Sequence, residues 1–289
     1  MYRYIAPKKR SRLRIEAGRF LYSLLRYRFW IRNANLYRHR RLEEGGVADD
    51  RYCYTVFSHA TPLFRNLSDI DCKLQKNKVV NLHLAVRRID GFVLEPGKVF
   101  SYWKEIGAPI ALRGFRKGVV LVNGVPTERI GGGLCQLSNL LYWMTVHTSL
   151  SVIERFRHSY DVFPDQNRTQ PFGSGATCVY NYRDLQIRND TNTTFFLRLS
   201  VTGDTLEGSW KTDVPVNESY EVYEKSHWIT QEMGSVYVRH NILGRRHFFD
   251  HTDGPRELAS DDILAENHAI MMYSPLISAP TSFAGNGAL

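Results

Sequence analysis

The residues best equipped for chemistry sit in one run, Gly131-Gly132-Gly133-Leu134-Cys135-Gln136-Leu137-Ser138, at the head of an apolar stretch of helix length that ends near Leu150. Glycines allow positive φ and a close approach of backbone to ligand. A thiol on the first turn of a helix lies at the positive end of its dipole, among N–H groups that have no partner within the helix. That position favours thiolate and would activate Cys135 as a nucleophile. The same N–H groups could stabilise an oxyanion or hold an anionic ligand, with Gln136 as a side-chain donor to the same oxygen. The plainer alternative is a small packed cysteine behind a tight turn.

A cysteine nucleophile needs a base and a group to orient it. His158 follows in Glu154-Arg155-Phe156-Arg157-His158-Ser159, at the end of an expected strand that returns beside the helix start. Asp161, Asp165 and Asp184 are candidate orienting acids, Asn181 and Asn189 neutral substitutes. The resulting candidate set has Cys135, His158 and Asp184 as catalytic residues. Gly131, Gly132, Gly133, Gln136, Ser138, Arg155 and Ser159 are the candidate substrate contacts. His240, His247 and His251 are the densest histidines, but they fall in expected strand and loop, where i,i+4 spacing has no helical meaning, so no metal site is assigned. No cofactor is implied.

These side chains need a scaffold, and the chain is long enough to supply one. At 289 residues with 43% apolar content, it can fill a core, which excludes wholesale disorder. Four cysteines without a CxxC pair exclude a disulfide-stapled module. Leu82, Ala85, Val86 and Ile89 mark one side of a helix over 81–88, and Pro96–Gly97 marks a turn. Val119–Val122, Asn123–Gly124 and a short apolar return predict a hairpin. Segment 152–157 reads as a strand, 177–181, 184–188, 194–201 and 205–210 as an antiparallel meander, and 220–223 with 236–238 as a further pair. Arg51 to Cys72 is mixed. After Asp250 the pattern weakens into a loose tail. The expected architecture is α+β: a central helix starting near Cys135, packed on a mainly antiparallel sheet. Three regions are expected: an arm over 1–45, an α+β body over 46–212, and a strand pair with tail over 213–289.

Charge separates the arm from the body. Residues 1–41 hold 13 of the 38 Lys and Arg but only Glu16 among the acids, a balance of +12, whereas the rest of the chain stands at −3. Leu13, Ala17, Phe20, Leu24, Tyr27 and Ile31 form a helical stripe, with Arg12, Arg19 and Arg26 opposite. The stripe either packs on the protein's own core, leaving the arginines solvated, or lies in an anionic membrane surface through residues 8–41. Nucleic acid is disfavoured, because no recognition motif or stacking platform accompanies the charge. No stretch is apolar enough to span a membrane, and Arg26 and Arg28 interrupt the nearest approach to a signal sequence. The expected location is cytoplasmic, peripheral at the inner membrane face.

Several of these segments together resemble the VanW family. They are Pro96-Gly97-Lys98-Val99-Phe100-Ser101, Gly114-Phe115, Asn123-Gly124, the Gly131–Ser138 run, Leu141-Tyr142, Glu154-Arg155-x-x-His158-Ser159, and Asp184-Leu185 with Asn189. The resemblance spans about Asn81 to Trp210. It extends through Phe172–Thr177, Tyr223-Glu224-Lys225 and Glu266-Asn267-His268-Ala269. It implies a link to glycopeptide resistance and the bacterial envelope, with a peptidoglycan peptide or precursor as the implied ligand. Two activities fit: a cysteine-dependent amide hydrolase or acyl transferase, or a non-catalytic binding protein for an anionic wall precursor, with a scaffold role beside them. Many relatives carry Asp in a GxDAT segment where this chain reads Gly173-Ser174-Gly175-Ala176-Thr177. Gly175 therefore removes one possible third triad member and moves attention to Asp184.

Overall fold

The spacing of Leu82, Ala85, Val86 and Ile89 gives one apolar helix side, and in the computed structural model that side is buried within α2 (Cys72–Ile89). The structure describes residues 11–42, 50–64, 72–122, 124–157, 159–162, 170–232, 236–251 and 254–274. The apolar stretch behind the glycines forms α4 (Cys135–Val146). Between these helices lie β3 (Phe92–Leu94), β4 (Val99–Ser101), the short α3 (Tyr102–Ile106) and the hairpin of β5 (Lys117–Val122) and β6 (Val125–Ile130). The hairpin pairs outward from Val122 and Val125, as the Asn123–Gly124 signal predicts, with Gly124 at φ 80°.

A five-stranded antiparallel sheet carries the core. Its order is β1 (Arg40–Arg41), β3, β10 (Phe195–Thr202), β11 (Thr205–Thr212), β2 (Tyr54–Pro62). Helix α2 lies against β10, and α4 against β11 and β2. The two-residue period of strands divides β10: Phe195, Leu197 and Leu199 join the main core, while Phe196 turns the other way and stacks on Tyr52 at 4.8 Å. A small sheet, β4–β9–β7 (β7 Ser151–Glu154, β9 Gln186–Arg188), borders the main one. The architecture is α+β with mainly antiparallel sheets, as expected.

Three strand readings change. Residues 177–181 form no strand and contribute only the single bridge Val179–Arg183. The mixed segment after Arg51 supplies β2. The weak region after Asp250 supplies the 15-residue β14 (Glu257–Met271), which joins β12 (Glu218–Glu232), β13 (Val236–Phe249) and β8 (Tyr160–Asp161) in a second sheet. β14 shows little apolar alternation because its first half is exposed and carries charge, with Asp261 pairing across the strands with Arg246 at 3.4 Å.

The N-terminal stripe forms α1 (Arg12–Arg32), opened by Ser11, whose Oγ accepts from the Arg14 N–H. Its orientation overturns the core-packing alternative. Arg19, Ser23, Arg26 and Trp30 occupy the sheltered side, while Leu13, Phe20 and Ile31 are 84%, 68% and 75% exposed. Trp30, and Tyr37 just beyond the helix, enter the main core.

Candidate functional site

The start of α4 is assembled by backbone contacts. Leaving β6, the Gly131 N–H donates to Arg116 O, the Gly132 N–H to Arg129 O and the Gly133 N–H to Val119 O, each at 3.0 Å. Gly132 lies backbone to backbone on Gly118, so that an added Cβ would stand 2.1 Å from the Gly118 carbonyl carbon. Gly133, at φ 90°, lies under the Lys78 side chain. From α2, Asn81 spans the junction: its Nδ2 donates to Arg116 O and Gly132 O, and its Oδ1 accepts from the Arg116 N–H. Gln136 N–H then donates to Gly133 O, and the Leu137 and Ser138 N–H groups to Leu134 O. The three glycines thus face this chain itself, and the amides of Gly131, Gly132, Gly133, Gln136, Leu137 and Ser138 are bonded within it. Asn81 was readable only as a polar residue beside the apolar side of its helix.

Cys135 is half-buried. Burial pushes its thiol up, only partly opposed by the N–H groups of Cys178 and of Cys135 itself. The direction is opposite to the one expected from the helix dipole alone. Cys178, buried beside it, is pushed up further, by burial first and then by Asp184 and Cys135. Tyr102 is buried beside both thiols, its hydroxyl donating to Leu134 O at 2.8 Å. Cys135 and Asp184 therefore share a neighbourhood but make no hydrogen bond to each other. Asp184 accepts from Ser101 Oγ at 2.5 Å, from the Trp103 N–H at 2.9 Å and from the Leu185 N–H at 3.0 Å, which fixes the start of α3. Burial lifts its carboxyl to about 7.

The remaining candidates have defined partners. Gln136 Nε2 donates to Thr61 Oγ1 and Pro62 O, and Ser138 Oγ to Ala176 O. The Ser159 carbonyl accepts from the Ile270 N–H. His158 lies outside the described residues. The space beside Gly175 is filled by Asn139, whose Oδ1 would meet an added Cβ at 2.7 Å and accepts from the Ala176 N–H. His240 bonds His268 Nδ1 to Nδ1 at 2.7 Å, His247 stacks on Tyr220 and His251 faces Glu257, three separate settings.

Arg155, a candidate from the sequence, belongs to a group of arginines whose other members, Arg157 and Arg245, the sequence left unmarked. Arg155 lies 4.2 Å over the Tyr142 ring and donates to the carbonyls of Gly173 and Gly175. Arg157, exposed, donates to Asn267 Oδ1 at 3.3 Å. Arg245 donates to Thr148 O, and its Nε has no hydrogen-bond partner among the described residues. All three act electrostatically on Tyr142, whose hydroxyl burial otherwise raises. Among the described residues none of them forms an ion pair. The segments outside the central domain that carried the resemblance converge here: Asn241 Nδ2 donates to Phe172 O and Glu224 Oε1, and Asn267 Nδ2 donates to Asn241 Oδ1.

Residues 77–211 match the family described as VanW like protein. The chain is similar to vancomycin B-type resistance protein VanW of Enterococcus faecalis, 32% identical over 184 residues that cover 64% of this chain and 67% of that protein. It is also similar to the uncharacterized protein YoaR of Bacillus subtilis, 26% identical over 131 residues, 45% of this chain and 42% of that protein. No solved structure matches it. Shared identity over two thirds of the first relative, together with the family match across the core that positions Cys135, Asp184 and Arg155, makes this chain a member of the VanW family.

Proposed function

We propose that this chain serves envelope-linked glycopeptide resistance as a binding protein for an anionic cell-wall precursor or peptide, not as a cysteine hydrolase. The link to resistance rests on the relative named for it. The observation that carries the binding reading is the Arg155–Arg157 pair, whose guanidiniums meet carbonyls, an amide and a ring but no ion-pairing carboxylate among the described residues, with Arg245 nearby under the influence of Asp262 and Glu218. Arginine presents a planar fork suited to a carboxylate or phosphate, and Arg157 is the exposed member. The hydrolase reading needs a sulfur that ionises near neutral pH and a base held by an acid. Cys135 is shifted away from ionisation, and Asp184 is occupied by three donors.

Two measurements test this. First, alkylation with iodoacetamide at pH 8 is expected to be slower at Cys135 than at the exposed Cys53 and Cys72. A faster Cys135 restores the nucleophile. Second, calorimetric titration with a wall pentapeptide bearing free carboxylates, against its amidated form, is expected to show preference for the acid. Arg157→Gln should weaken that binding about tenfold or more, the size of one lost charge-assisted hydrogen bond. Cys135→Ala should bind as wild type. Cleavage of the peptide by wild type but not by Cys135→Ala would overturn the proposal.

A further inference from the structure

We infer that α1 seats the protein on an anionic lipid surface, with the face bearing Leu13, Phe20, Leu24 and Ile31 turned to the bilayer. That face is directed away from the body: Leu13 and Ile31 are its most open positions, and Leu24 is half exposed. The opposite side is fixed from within. Arg26 forks onto Glu154 at 2.5 and 2.8 Å, and Trp30 is buried in the core. The helix is therefore held in one rotation about its axis, and its apolar side cannot roll inward.

Charge selects the occupant. Arg14, Arg28 and Arg32 are exposed along one edge of the outward face and pair with no carboxylate among the described residues. Glu16 is the only acid in α1 and is engaged by Arg19 at 2.7 Å. Tyr22, Tyr27 and Phe29, on the sides nearer the body, are engaged by Tyr182, Tyr180 and Tyr37, which adds to the hold on the helix. A second copy of this chain is disfavoured, since a two-fold contact through this face brings like arginine rows together. A lipid surface supplies both an apolar phase and fixed negative charge. A 21-residue helix lies along it for about 31 Å, and no described helix is long and apolar enough to cross it.

The test uses the full chain with vesicles of phosphatidylglycerol and, separately, of phosphatidylcholine, sedimented at low and high salt. Binding to phosphatidylglycerol is expected to exceed that to phosphatidylcholine and to fall with salt. Arg14→Gln, Arg28→Gln and Arg32→Gln together should cost about a hundredfold on the anionic vesicles. Phe20→Ser with Ile31→Ser should weaken sedimentation on both lipids; circular dichroism melts check that each variant is folded, since the replaced side chains face solvent. Hydrogen exchange with and without vesicles gives an independent readout, with protection expected across 13–31. Equal binding to both lipids, wild-type binding by the triple variant, or a concentration-dependent dimer abolished by Phe20→Ser would each overturn the inference. None of these readouts involves a wall peptide, so they stand or fall apart from the proposed function.

Discussion

Asp184 is a carboxylate carried into the interior, where the Ser101 hydroxyl and the Trp103 and Leu185 amides meet it in place of water. Those donors favour the ionised form, yet burial is the larger influence and the carboxyl titrates near neutrality, at about 7. In the unfolded chain an aspartate releases its proton near pH 4 (about 3.9). Between these two values the native state holds the extra proton, so stability falls as pH rises, by up to about 1.4 kcal/mol per pH unit. Asp184→Asn keeps an oxygen for the two amides and is expected to flatten urea-unfolding stability between pH 4 and 7. His39 supplies a separate slope. Its bond to Glu105 raises its pKa, so its contribution is complete below the unfolded value of about 6.5 and is lost as pH rises through the folded one. That second slope should survive in Asp184→Asn. Residue types and spacing marked Cys135 and Ser138 correctly as a helix start. They could not report that the thiol would be desolvated, because the groups buried around it, Tyr102 and Cys178, are remote in sequence.

At the scale of elements, the crossing of the hairpin over the start of α4 depends on Gly118 and Gly132 meeting without side chains. Gly132→Ala would drive a Cβ into the Gly118 carbonyl, and because backbone opposes it the neighbour has no rotamer to yield. A loss of about 3 kcal/mol is expected, at the upper end of ordinary overpacking. Gly203→Ala, with nothing within 4 Å, should be near neutral. Chemical unfolding of the two variants side by side checks the contrast. The glycine run was visible in the sequence, but its purpose was not: chain packing and ligand approach call for the same residue. Elements with a single buried side were legible, as α2 and the β5–β6 hairpin show. β2 and β14 were not, since β2 has half-buried and exposed residues throughout and the first half of β14 is exposed on both faces, leaving no alternation to read.

For the whole molecule, the joint that matters most is Arg26 with Glu154. Glu154 also accepts from Gln186 Nε2 and from the Asp184 N–H, so one carboxylate ties α1, β7 and β9 together. Arg26→Ala leaves that carboxylate half-sheltered with its charge unmatched. A cost of about 2 kcal/mol is expected, as for a hydrogen bond to a charged group, together with faster proteolysis within 12–32. Equal stability with unchanged cleavage would show that Trp30 and Tyr37 suffice to hold the arm. The separation of a +12 arm from a −3 body was plain in the sequence. The side on which the arm would rest was not, because the stripe and the arginines opposite it are equally consistent with either rotation. Arg26 and Glu154 are 128 residues apart in the chain, so the joint also has a place in time. A ribosome adding roughly 5–20 residues per second delivers Glu154 on the order of ten seconds after Arg26. Throughout that interval the arm has emerged with its arginine unmatched and its docking partner unmade. The contact that fixes the rotation of α1 therefore forms only once β7 has been made, so the helix is oriented well after its own synthesis.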